Sequence, residues 1–140
     1  MPGIKPPICF LDLTLLGGGP LPLLNDPGHK DLNKSMTTKI PRILGLGTET
    51  APKAIVLVTA HWTTDVPTVS SGKAPKLLYD FSGFPPESYN VKYDAPGSPE
   101  IAKLVADTLT EAGLRPELDE ERGMFYLTVL KIKSSGIDIF

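Results

Sequence analysis

One segment constrains this 140-residue chain more than any other: "KAIVLVTA", residues 53–60. It is continuously apolar where a half-exposed strand would alternate. A strand apolar on both sides needs cover on both faces, which implies a sheet flanked by helices. The flanking patterns agree. "ICFLDL", residues 8–13, reads as a buried first strand. Leu32, Met36, Ile40, Ile43 and Leu44 are spaced helically, and Pro41 is expected to split that helix into two short pieces. "PTVSS" is a candidate short strand. Ser98-Pro99-Glu100 opens a further helix as N-cap, first helical residue and first-turn acid. Ile101, Leu104, Val105, Thr108 and Leu109 supply its apolar stripe, and Gly113 ends it. "LRPELD" follows as a strand, and residues 124–132 fit either strand or helix. This order predicts an α/β domain with a partly parallel sheet flanked by helices. Ligands in such sheets sit beyond the carboxyl ends of the strands.

Fifteen prolines and thirteen glycines imply many turns, and "LLGGGPLPLLNDPGH" is a loop by composition. Residues 72–97 form an aromatic-rich loop, and a loop of that length inside a compact domain is usually functional. A formal charge of −2 without a basic block argues against nucleic acid or anionic lipid as partner. No apolar run approaches the roughly 20 residues of a membrane helix. "MPGIKPPICF" is too proline-broken for a secretory signal, so a soluble, cytoplasmic protein is expected. Cys9 is the lone cysteine, which excludes an internal disulfide and a CxxC site.

His61, one of two histidines, stands where the apolar segment turns polar. A neutral imidazole there can be a metal ligand, a general base or a structural hydrogen-bonder, and the residues alone leave all three open. Trp62 can pack or stack on a substrate. Gly17, Gly18 and Gly19 would let a ligand approach the backbone, but no GxGxxG with a following helix is present, so phosphate binding has little support. His29, after "NDPG", reads as an exposed turn residue, and Glu120, Glu121 and Arg122 read as a solvated charged turn. Tyr79, Asp80, Phe81, Phe84, Tyr89 and Tyr93 share one loop. They either pack on one another or wall a pocket for a flat aromatic substrate.

Taken together, "VTAHW", "LLYDFSGFPPESY", "KYDAPGSPEIAKLVADTL" and "LDEERG" keep an order that resembles the class III extradiol ring-cleavage dioxygenases of the subunit-B type, in the branch similar to 4,5-DOPA dioxygenase. The resemblance covers residues 53–123, about half the chain, and "GGGPLPLL" extends it. It implies a non-haem Fe(II) or Zn(II) centre, with a catecholic small molecule and O2 as substrates. It makes His61 a metal ligand, and Trp62, Tyr79, Phe81 and Phe84 become substrate-pocket candidates. No catalytic acid or base is identifiable. Imidazole suits iron and zinc, and open coordination positions admit substrate and oxygen.

The departures are as informative. Leu15-Leu16 stands where the family carries Ser-His, and "MFYLTVLKIK" stands where it carries Asp-His-Gly. One imidazole falls short of the three protein ligands of a mononuclear catalytic site. Residues 1–140 are therefore expected to be a single, truncated domain of this family, catalytically incomplete, from a truncated or mis-spliced gene, or else a shortened paralogue with another role. The competing expectation is a non-catalytic binding or regulatory fragment that pairs with a full-length relative. Either way, apolar surface around Val56, Leu104 and Leu109 is expected to lie exposed.

Overall fold

A computed structural model describes residues 20–59, 61–80, 82–125 and 138–139. The expected first strand at 8–13, the glycine triplet and most of 124–132 lie outside them.

The helical spacing of residues 30–46 resolves into α1 (Lys30–Lys34) and α2 (Ile40–Ile43), joined by a π-helical turn at Ser35–Lys39. Pro41 has no N–H to give the Thr37 carbonyl, and its ring crowds that oxygen. The Thr37 and Thr38 hydroxyls add to the effect by donating back to the Asn33 and Lys34 carbonyls at 2.7 and 2.6 Å. Such back-bonding bends helices. The break therefore falls one turn before the proline, and Pro41 itself sits in the first turn of α2.

Downstream, two stretches run side by side in the same direction. β2 (Thr68–Ser70) pairs with β4 (Glu117–Asp119), and β3 (Leu77–Leu78) pairs with β5 (Met124–Phe125), both parallel. The ladder extends beyond the strands: Glu117 N–H donates to Pro67 O at 2.9 Å, Ser71 N–H to Asp119 O at 2.8 Å and Met124 N–H to Lys76 O at 2.8 Å. Parallel neighbours need a long crossover. Here it contains α3 (Pro99–Glu111), which packs on both β2 and β4.

Local chemistry sets the ends of α3. Ser98 Oγ accepts the Ile101 N–H at 3.3 Å, and Gly113 leaves the helix at φ +85°. The expected stripe needs correcting at its centre. The buried line is Ala102 and Ala106, with Ile101, Val105 and Leu109 half-buried beside it, whereas Leu104 is 60% exposed. Leu104 lies two residues from either alanine, about 200° around the axis. The small alanines let the helix backbone come close to the strand pair.

The aromatic-rich segment is not wholly loop, since it contributes β3 and a 3-10 helix at Pro86–Asn90. Its two ends are pinched together. Gly97 N–H donates to Lys73 O at 2.8 Å. A Cβ on Gly97 would collide with the Gly72 carbonyl, and one on Gly72 would lie 2.5 Å from the Glu120 carbonyl. Backbone approach this close leaves room only for glycine. Within the loop, Tyr79 OH donates to Val91 O at 2.7 Å, and the Tyr79 and Tyr89 rings lie 6.2 Å apart.

The expected strand at 53–60 is the largest correction. β1 spans only Ala54–Ile55 and pairs, again parallel, with β6 (Asp138–Ile139). Beyond it, Val56 is 53% and Val58 93% exposed. Burial on both faces requires neighbours at both edges and layers above and below. Among the described residues β1 has a single neighbour of two residues. Ile55 instead joins Leu46, Leu77 and Tyr93 against a small core of Ala95 and Met124. The α/β class holds, with parallel pairs and helices. No described helix is long and apolar enough to cross a membrane.

Two outcomes are expected. Gly97→Ala should lower stability by about 1–3 kcal/mol, read from the urea midpoint, because the pinched neck must open. Burial raises the Tyr93 phenol above its ordinary value of 10.0, so the folded state holds that proton more tightly than the unfolded chain. The corresponding stability is present below pH 10 and fades as pH rises through the folded value. Tyr93→Phe should therefore blunt the loss of stability seen in alkaline melts.

Candidate functional site

The apolar segment ends in a local turn. Thr59 Oγ1 accepts the His61 N–H at 3.1 Å, and the imidazole beyond it is 46% exposed. His61 Nδ1 lies 3.7 Å from Asp80 Oδ2. That is longer than a hydrogen bond, and both groups are near half exposed, so the pair contributes at most about 1 kcal/mol even when the ring is protonated. Its interest is positional. Asp80 follows β3 in the pinched loop, next to the anchored Tyr79, so the loop carries a carboxylate to the imidazole at the end of this apolar segment.

Arg122 is a residue that sequence reasoning misses. Its neighbours suggest a solvated charged turn, and the structure corrects this: Arg122 is half-buried and tied from several directions. Asp119, closing β4, accepts the Glu121 and Arg122 N–H groups on Oδ1 at 2.9 and 2.8 Å. Asx turns of this kind aim the chain beyond them. Ser70 Oγ donates to the Arg122 carbonyl at 3.0 Å. So fixed, the side chain reaches across 61 positions, where Nη2 donates to the His61 carbonyl at 3.3 Å. The guanidinium carbon sits 4.9 Å from the centroid of the Trp62 ring. That is cation–π range, worth about 0.5–1 kcal/mol where solvent has access. The available signal was the arginine of "LDEERG", one of the motifs that carry the family resemblance.

Trp62 also lines a cleft of about 530 Å³, together with Asp65, Thr68, Glu117, Asp119 and Glu120. Its carboxylates make that cleft polar and anionic, unlike the aromatic-walled pocket expected from the loop. Tyr79 and Phe84 do not line it. Tyr79 is engaged with Val91 and Tyr89, and Phe84 is half-buried just before the 3-10 helix. Phe81 lies outside the described residues. His29 is also more than an exposed turn residue. Its Nδ1 is 2.8 Å from Asp26 Oδ2, the oxygen that accepts the Gly28 N–H at 3.0 Å, which makes it part of a structural turn.

The donors among the described residues do not fit a complete metal centre. Among the described residues no three His, Cys, Asp or Glu side chains gather closely enough to hold an ion. His61 and Asp80 supply two at most, and mononuclear catalytic sites take three.

Comparison with known sequences adds an independent finding. The pattern of the family described as the catalytic LigB subunit of aromatic ring-opening dioxygenase matches residues 19–127. Dioxygenase tasH of Hapsidospora irregularis is 52% identical over 99 residues, covering 70% of this chain and 31% of that protein. The 4,5-DOPA dioxygenase extradiol of Portulaca grandiflora is 49% identical over 73 residues, 51% of this chain and 27% of its own. The 4,5-DOPA dioxygenase extradiol of Escherichia coli (strain K12) is 36% identical over 109 residues, 78% of this chain and 36% of its own. The matched segment thus spans about a third of each relative's length.

The geometry separates two neighbouring side chains. Tyr79→Phe should cost about 0.5–1.5 kcal/mol in a urea melt, because the Val91 carbonyl loses its donor. Asp80→Asn should change stability by less than about 0.5 kcal/mol, since the exposed pair with His61 carries little.

Proposed function

Because this chain belongs to the LigB family of aromatic ring-opening dioxygenases, we propose that it forms part of an extradiol dioxygenase that opens a catecholic, DOPA-like ring with O2. The observation that carries the proposal is the family match over residues 19–127, which includes His61, Trp62, Asp80 and Arg122. Two of the relatives are named 4,5-DOPA dioxygenases, which supports the substrate class. In this reading His61 is a ligand of Fe(II) or Zn(II), and Trp62 borders the substrate. Tyr79, Phe81 and Phe84 remain the other candidates for the substrate pocket of the whole enzyme. Such an ion, when bound, supplies Lewis-acid activation and open positions for substrate and oxygen. The described donors are too few for it, so no ring-opening step is assigned to the chain acting alone.

A second reading has its own observation. Val56 at 53% and Val58 at 93% exposure leave apolar surface at the end of β1, which suits a fragment that pairs with a full-length relative without catalysing.

A graft tests the first reading. Residues 19–127 replace the matching stretch of tasH, and oxygen uptake is followed with a catechol. Uptake should persist in the graft and fall by at least about 100-fold on His61→Ala, as loss of a metal ligand exceeds the loss from its supporting shell. Unchanged uptake and iron content after that substitution would refute the ligand role. For the second reading, the chain is mixed with intact tasH and the mass of the complex is read by light scattering. Separate species would remove the pairing proposal.

A further inference from the structure

We propose that Arg122 is a positioning residue that holds His61 and Trp62 in one orientation against the edge of the β2–β4 pair. What His61 is positioned for rests on the ligand reading above, whereas the positioning itself does not.

The backbone of His61 is held at both of its polar groups. Its N–H is taken by Thr59 Oγ1 at 3.1 Å and its carbonyl by Arg122 Nη2 at 3.3 Å. Both polar groups of the His61 backbone are thereby engaged, which restrains the point from which the imidazole projects. The same guanidinium covers the next residue's indole at 4.9 Å. One planar cation can donate from its edge and stack with its face at once. A lysine ammonium has no such plane, so it can meet only one of these demands well. Arg122 is itself referenced to the strands, because Asp119 takes its N–H at 2.8 Å and Ser70 donates to its carbonyl at 3.0 Å. Sites hold their geometry when their supports are locked to rigid elements in this way. A merely solvated arginine side chain would show neither of the two contacts.

The test uses the 140-residue chain without added metal. Trp62 is the sole tryptophan, and His61 shares the imidazole region of the spectrum only with His29. Each therefore reports alone in tryptophan fluorescence and in 1H–13C aromatic correlation. Arg122→Ala should shift Trp62 emission to the red, increase its quenching by acrylamide and move the His61 Cε1–H peak. The His29 peak and the amide peaks of Thr68–Ser70 should stay in place, and Arg115→Ala should change nothing. Arg122→Lys, which keeps the charge and the aliphatic stem, should leave Trp62 and His61 displaced. Wild-type emission and His61 position in Arg122→Ala would overturn the proposal, as would full restoration of both by Arg122→Lys. If Arg122→Ala does not fold, Arg122→Lys decides by the same two signals. These spectra need no turnover, so a graft without oxygen uptake would count against the ligand reading and leave this one standing.

Discussion

Backbone hydrogen bonds between residues 67–76 and 117–124 tie together two stretches almost fifty positions apart, and the placement of loop, helix and candidate site depends on that parallel pairing. Parallel neighbours cannot be joined by a hairpin, so the chain between them must travel out and back. It does so through the pinched loop at 72–97 and then α3. Gly72 and Gly97 are where the outgoing and returning backbones nearly touch. Ala102 and Ala106 are where the helix lies down on the strands. Small residues at these points are a consequence of the closeness of the pairing.

The same pairing places the candidate site. Asp119 ends β4 and Ser70 ends β2, and between them they fix the backbone of Arg122. That anchoring brings a guanidinium to His61 and Trp62, while the loop that starts at Gly72 brings Asp80 to the imidazole from another side. Three segments distant in sequence thus meet around one turn. The cleft beside them carries four carboxylates, with Trp62, Val66 and Leu118 as its apolar lining. The interior beneath is thin. The buried apolar side chains among the described residues are Pro20, Ala95, Ala102, Ala106 and Met124. Large apolar groups such as Val58 and Leu104 remain on the surface, in a segment matching about a third of its relatives' length.

Much of the local structure is legible in the residues. The Ser98 cap, the first-turn Pro99, the Gly113 stop and the interruption near Pro41 all appear in the fold, since each depends on residues within about one helical turn. The choice of His61 and Trp62 comes from a local pattern and the family resemblance. Arg122 is misread because its partners lie some sixty positions away, and a charged turn looks the same whether solvated or engaged. Leu104 belongs to the apolar stripe yet lies exposed, as expected for a shortened domain, because spacing identifies a stripe but not which line of it meets a strand.

The sequence by itself determined the ends of α3, the break near Pro41 and the family, because these depend on neighbouring residues and on motifs kept in order. Only the tertiary structure decided that the apolar segment after Lys53 forms a two-residue strand with exposed valines. It alone decided that Asp80 approaches His61 and that Arg122 bridges His61 and Trp62. Those outcomes depend on which distant backbones pair and how much neighbouring surface is available for burial, and no window of adjacent residues contains that information.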